Sequence, residues 1–255
     1  MKNVILTITF LCVVNLSNLY AQDFPLREKY PNVKTISSEQ LYDNYKSYLL
    51  IDVRSRYEFL AIRMRSARSV PLGNEEFVAS VQKLQHSRSD KPVVFYCNGI
   101  TCAKSYKAYN VAKDSGIENV MVYDAGILNW ARKYPQQTTL LGETPANLKF
   151  FLTDDKFKSH LIPTSEFKEK MAQGAIVIDV RDGFQRIEKI FEDETINVPI
   201  DEAVLYASRK SKEGKTLLLY DAVGKQVRWL QFYLEKAGVT DYYFLEGGVK
   251  GYLGK

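Results

Sequence analysis

The chain is poor in the side chains that most often do chemistry near neutral pH, with two histidines and three cysteines among 255 residues. His86 lies in the polar stretch HSRSDK and His160 in KSH, and neither has a carboxylate, cysteine or serine spaced to form a triad or a zinc site. No metal site and no histidine-based catalysis are expected, so any reaction has to run on another side chain. Charge of one sign is scarce too: 35 Lys and Arg against 30 Asp and Glu leave a net +5, with no basic run and no alternation of basic and aromatic residues. Nucleic acid is accordingly not expected as a partner. What is present is ordinary for a globular protein: 45% hydrophobic residues, 14 Gly and 8 Pro exclude collagenous, disordered and multi-span membrane chains. The length suits one large or two small domains.

Long apolar runs are also missing, apart from Val4 to Val14 near the N-terminus. That run is shorter than the roughly 20 residues a membrane span needs. Lys2 precedes it, a polar patch Asn15 to Asn18 follows, and Leu19-Tyr20-Ala21 then offers a cleavage site. Residues 1–21 therefore read as a secretory signal peptide, with Gln22 as the first mature residue. Cys12 lies inside the run behind Leu11 rather than at its end behind a small residue, which argues against lipidation. The expected location is periplasmic or secreted, with no membrane attachment after cleavage. Only Cys97 and Cys102 then remain, both in YCNGITCAKS. An even pair in an oxidising compartment is commonly a disulfide.

The chain repeats itself. LLIDVRSRYEF from Leu49 to Phe59 is answered by IVIDVRDGFQR from Ile176 to Arg186, 127 residues on. Val70-Pro71-Leu72 is answered by Val198-Pro199-Ile200, VVFYC ending at Cys97 by LLLYD ending at Asp221, and YDAGILNW by FLEGGVKGY. Matches in the same order at nearly constant offset mark two copies of one domain, placed at 34–136 and 162–255. Residues 137–161 form a linker whose Gly142, Pro145 and Asp154-Asp155 read as turns around a short strand near Phe150.

LLIDV, VVFYC and NVMVY are continuous apolar runs, as expected of strands in a parallel sheet covered on both faces. Glu76 to Leu84 and Lys104 to Asp114 carry helical periodicity, and Gly116 suits a C-terminal stop for the second. Ser37-Ser38-Glu39-Gln40 offers a capping box for a helix reaching about Tyr45. Alternating strands and helices predict an α/β fold with right-handed crossovers, whose ligands gather at the carboxyl ends of the strands.

Cys97 stands at such an end, between the strand Val93 to Tyr96 and a helix opening near Ala103 or Lys104. The loop between them is expected to aim backbone N–H groups and the helix N-terminus at one point. A thiol there should ionise below the free value of about 8.5, with Lys104 adding to the effect. The same nest would hold a persulfide or the oxyanion end of a sulfur donor.

These features together resemble the tandem rhodanese-domain sulfurtransferases: IDVR followed by Glu58-Phe59, the segment Ala67 to Pro71, the strand-cysteine loop at Cys97 and the ending Gly126 to Trp130. The resemblance covers nearly the whole chain after the signal segment. It implies two rhodanese-like domains, each a parallel sheet flanked by helices, the first active and the second inactive because it lacks the cysteine. It also implies transfer of sulfane sulfur through a cysteine persulfide, without metal or organic cofactor. The donor would be a small anion such as thiosulfate or 3-mercaptopyruvate, and the acceptor a thiol or cyanide-like nucleophile. By position Cys97 carries over as the nucleophile, and Asn98, Gly99, Ile100, Thr101, Cys102, Ala103 and Lys104 as the substrate-binding loop.

The sequence also departs from the family pattern. Ile62-Arg63-Met64-Arg65-Ser66-Ala67 replaces a common Gly-His-Ile-Pro-Gly-Ala stretch, so the turn there must be built differently, and Lys104-Ser105 stands where an Arg-Ser pair would close the loop. Ala103 occupies the place at which a related phosphatase or arsenate reductase would need an oxyanion-clamping Arg. Asp52 and Arg54, with their repeats Asp179 and Arg181, read as structural, since both copies carry them. The 17 tyrosines read as core and interface filling. Two other functions stand beside sulfur transfer: thiol–disulfide exchange by Cys97 and Cys102, and a non-catalytic interaction module.

Overall fold

The computed structural model describes residues 24–87, 91–191 and 194–254. The expected signal peptide lies outside the described residues. The first half runs α1 (Leu26–Lys29), α2 (Ser38–Asp43), β1 (Leu49–Asp52), α3 (Arg56–Ala61), β2 (Ile62–Met64), β3 (Arg68–Ser69), α4 (Phe77–His86), β4 (Val93–Tyr96), α5 (Lys104–Asp114), β5 (Val120–Tyr123) and α6 (Gly126–Lys133). After β6 (Thr138–Leu140) and α7 (Asp154–Lys158), the second half runs β7 (Leu161–Ile162), α8 (Thr164–Ala172), β8 (Ile176–Asp179), β9 (Thr195–Asn197), α9 (Ile200–Lys212), β10 (Leu217–Tyr220), α10 (Val227–Lys236), β11 (Tyr242–Leu245) and α11 (Gly248–Tyr252). Among these residues no helix is long and apolar enough to cross a membrane.

The two halves form two parallel sheets with one strand order. The first is β3-β1-β4-β5, extended beside β5 by a parallel bridge from Thr35 to Val122; the second is β9-β8-β10-β11-β7. Their registers correspond, Asp52 opposite Tyr96 in the first and Asp179 opposite Tyr220 in the second. The central strands β1, β4, β5 and β10 are buried at every position, as continuous apolar runs covered on both faces should be.

Local signals set several element ends. Ser37 and Gln40 make the reciprocal capping box of α2, although α2 stops at Asp43 and Tyr45–Ser47 continues as a tighter turn. Gly116 follows α5 at φ +75, the left-handed geometry expected of a helix stop. The departing segment after α3 becomes β2, which pairs antiparallel with β6, and Ser66 turns the chain at φ +66 in a position glycine would hold more cheaply. In the linker the expected strand near Phe150 is instead a single turn of 3₁₀ helix, Leu148–Phe150. The Asn147 side chain accepts the Lys149 N–H and closes that turn locally. The strand that does form in the linker, β6, answers a partner about 75 residues earlier.

α10 joins the halves. It corresponds to α5 in the repeat, yet α5 buries small residues and one tyrosine while α10 buries Val227, Trp229, Leu230, Gln231, Phe232 and Leu234. A helix apolar nearly all round has two buried faces. One face of α10 covers its own sheet, and Trp229 and Phe232 enter the apolar cluster of the first half, where Tyr233 meets Tyr57 of α3 at 5.5 Å between ring centroids. Lys236 pairs with Glu143 at 2.8 Å at the edge of this contact.

Candidate active site

The loop Cys97–Lys104 leaves the carboxyl end of β4 and enters α5 at Lys104. Cys102 N–H donates to Gly99 O at 2.9 Å, folding the loop back so that both cysteines lie in it as free thiols. Cys97 is 1% exposed and its Sγ lies 3.0 Å from Cys102 O, to which it donates, and 3.4 Å from Ser105 Oγ. Burial pushes the Cys97 thiol well above its ordinary value, although the Ser105 hydroxyl and N–H work against this. Cys102, only partly buried, is lowered to about 6, first by its neighbour Cys97, then by the backbone of Asn98 and Lys104 and by the Lys104 charge. The sequence expectation that Cys97 is itself the readily ionised thiol is thereby reversed. The influence of the Asn98 and Lys104 backbone falls on the second cysteine, while burial dominates at the first despite the polar contacts of Ser105.

A polar brace beneath the loop fixes its shape. Asn98 is its pivot, with Oδ1 accepting from Arg54 at 3.1 Å and Nδ2 donating to Glu58 Oε1 at 2.8 Å. Arg54 is fully buried, doubly bonded to Asp52 at 2.9 and 2.6 Å, and its guanidinium sits 5.2 Å from the ring of Trp229 on α10. Glu58 caps α3 through Ser55 and lies 3.7 Å from Lys104 Nζ. Burial alone would raise the Glu58 carboxyl, but Arg54, Asn98 and Lys104 outweigh it and hold the group below its usual range. The Asp52–Arg54 pair is structural, as read from its presence in both copies, and in the first copy Arg54 also supports the loop. Ile100 is partly exposed and Thr101 and Lys104 exposed, so the outer rim of the loop faces solvent.

Gly126, at the start of α6, touches the loop from the other side. Its φ is +75, and a Cβ there would lie 2.3 Å from Gly99 N and 2.4 Å from Asn98 C. Ile127 N–H donates to Cys97 O at 2.9 Å. The sequence marks Gly126 only through the repeat and the Gly126 to Trp130 ending of the family resemblance, and does not by itself bring Glu58 or Ser105 to the site. The capping pattern Ser55 to Glu58 and the Ala-Gly pair after β5 were the available signals.

The second copy reproduces this construction around a carboxylate. Val249 N–H donates to Asp221 O at 2.9 Å, and Gly248 presses on the loop as Gly126 does. Asp221 is fully buried and its carboxylate accepts from Val223 at 2.8 Å, from Gln226 at 2.5 Å, from Val227 at 3.0 Å and from Gly224. Four N–H groups converging on one negative group show that this loop geometry receives an anion, and in the second copy that anion is part of the chain. Asp221→Ala should therefore cost about 3 kcal/mol of stability, because buried donors lose a charged acceptor. Urea unfolding of the variant beside the parent protein checks this expectation.

Two tandem α/β units sharing one strand order, with a strand-loop-helix receptacle that carries a thiol in one and a carboxylate in the other, define the class of this protein. The chain belongs to the Rhodanese-like domain family, which matches residues 37–133 and again 163–255. Among curated proteins it is similar to the tRNA uridine(34) hydroxylase of Sodalis glossinidius, 30% identical over 118 residues, covering 45% of this chain and 32% of that protein. It is also similar to that of Yersinia enterocolitica, 35% identical over 92 residues, covering 35% of this chain and 25% of that protein. The chain thus spans about a third or less of the length of these relatives. Similar solved structures include a thiosulfate sulfurtransferase from Pseudomonas aeruginosa, 18% identical with a TM-score of 0.38, covering 89% of this chain and 45% of that one. A human single-domain sulfurtransferase is 24% identical with a TM-score of 0.33, covering 40% of this chain and 97% of that one.

Proposed function

We propose that the protein is a sulfurtransferase that carries sulfane sulfur on Cys97 from a small anionic donor, thiosulfate or 3-mercaptopyruvate, to a thiophilic acceptor. The observation that supports this most is the pair of equivalent loops: the one that has lost its thiol keeps four N–H groups on a carboxylate, while the other holds a thiol at the same strand end. With thiosulfate, the Cys97 thiolate attacks the outer sulfur, an S–S bond forms to Cys97, and sulfite leaves with the electron pair of the broken bond. An acceptor such as cyanide then takes the outer sulfur and returns the thiolate. Cys102 is lowered to about 6 and is ionised above that pH, and its place beside Cys97 in the folded loop lets it take the Cys97 proton when a donor arrives. Residues Asn98 to Lys104 supply the wall, with the Lys104 ammonium at the exposed rim to draw an anionic donor.

The test is incubation of the reduced Cys102→Ser protein, which keeps the Cys97 thiol, with each donor, followed by intact mass and peptide mapping. One added sulfur, about 32 Da, on the peptide containing Cys97 is expected, with loss of that mass on adding cyanide. No gain with either donor overturns the reading. We also propose that the protein is exported to the periplasm or secreted through cleavage after Ala21. N-terminal sequencing of the exported form should begin at Gln22, and a start at Met1 refutes it.

A further inference from the structure

Transfer through a Cys97 persulfide leaves no sulfur on the second cysteine of the loop, yet Cys102 is the thiol that the fold favours in ionised form. We propose that Cys102 is the resolving thiol of the Cys97 persulfide, so that the loop releases hydrosulfide, closes as a Cys97–Cys102 disulfide, and needs an external dithiol to reopen. This deepens the sulfurtransferase reading and rests on it. It gives the protein a second activity, reductive release of sulfide, and a partner class, a protein or small molecule carrying two neighbouring thiols.

Three observations carry it. The fold-back closed by Cys102 N–H and Gly99 O brings the second cysteine back to the first, with Cys97 Sγ donating to the Cys102 carbonyl at 3.0 Å. Both sulfurs are free thiols, so neither is committed to another partner. Cys97 is enclosed while Cys102 is only partly buried, so an outside reductant reaches the disulfide at Cys102. The value of about 6 at Cys102 supports the same role, since a thiolate is present at neutral pH without losing its nucleophilicity.

The chemistry balances. Cys102 Sγ attacks Cys97 Sγ, the inner sulfur of the persulfide, forming the Sγ–Sγ bond. The bond from Cys97 Sγ to the outer sulfur breaks, and the outer sulfur leaves as hydrosulfide with the electron pair and the persulfide proton. The two cysteines together are oxidised by two electrons and the sulfane sulfur is reduced by two. A dithiol then attacks at Cys102, forms a mixed disulfide, and closes on itself, returning both cysteines as thiols and leaving oxidised by two electrons. A thiol carried in the same folded loop competes far better than a free monothiol, because most of the encounter has already been made.

The experiment uses the full reduced chain, freed of reductant and given one equivalent of thiosulfate or of 3-mercaptopyruvate as probe. The wild type should release close to one equivalent of sulfide and become about 2 Da lighter, the mass of the two hydrogens lost in a disulfide. Cys102→Ser and Cys102→Ala, loaded to completion near pH 9, should keep the added sulfur, with sulfide release at least about tenfold slower until a thiol is added. Wild-type sulfide release should fall about tenfold per pH unit below about 6, as the Cys102 thiolate is protonated. A wild type that holds the added sulfur as long as the Cys102 variants, with no disulfide, overturns the proposal and leaves the sulfurtransferase reading intact. If no form takes up sulfur from either donor, that reading fails and the proposal with it.

Discussion

Cys97→Ser is expected to lower sulfur uptake by at least about a thousandfold while leaving the fold in place. An alcohol stays protonated near neutral pH, is a poor nucleophile for sulfane sulfur, and cannot hold it as a persulfide. The substitution is structurally gentle, because a hydroxyl can still donate to Cys102 O and share a hydrogen bond with Ser105. The stability change should stay within about 1 kcal/mol, so lost uptake is attributable to lost chemistry. The assay is mass gain on the Cys97 peptide beside a urea unfolding curve. Cys102→Ser is the counterpart, and the two should differ sharply, one without uptake and the other with a sulfur it retains. Full uptake by Cys97→Ser would move the nucleophile to Cys102, the more exposed and more ionised thiol of the pair.

Gly126→Ala should damage both stability and activity, although Gly126 carries no chemical group. At φ +75 an alanine costs about 1–2 kcal/mol of backbone strain. Its Cβ would also fall within 2.4 Å of backbone atoms of Asn98 and Gly99, which cannot swing aside as a side-chain tip can. Relieving that overlap adds about 1–3 kcal/mol, for an expected loss of about 2–5 kcal/mol. The loop has to move by something near 1 Å, and misplacement on that scale can lower a rate about a hundredfold. Gly116→Ala is the control, with the same φ of +75 and nothing within 4 Å of the added carbon. It should pay the conformational cost alone and keep full sulfur uptake. Equal behaviour of the two variants would show that α6 does not press on the catalytic loop.

The second copy takes its meaning from the same comparison. Its loop has exchanged a thiol for Asp221, and its α10 has exchanged small residues for Trp229, Phe232 and Tyr233. Those rings reach Arg54 and Tyr57, on either side of the start of α3, whose Glu58 holds Asn98. The second copy thus supports the loop of the first through α3.

The amino-acid sequence by itself determined the repeat, the parallel α/β class and the place of the cysteine loop. Each is written in contiguous residues: LLID and IVID are runs that only a doubly covered sheet buries, and Lys104–Asp114 has a helix period closed by Gly116. The tertiary structure alone decided how the loop is held and which thiol carries the charge. Arg54 and Glu58 meet Asn98 across 44 and 40 residues of sequence, a separation at which no local period relates one position to the other. The linker strand β6 likewise depends on its partner β2, while the segment near Phe150 follows its own Asn147 cap into a turn. Ionisation follows burial and neighbours in space rather than motif position. Cys97, at the strand end the sequence singled out, is enclosed and its thiol is pushed up by burial, while Cys102, five residues on and partly exposed beside Lys104, is lowered to about 6.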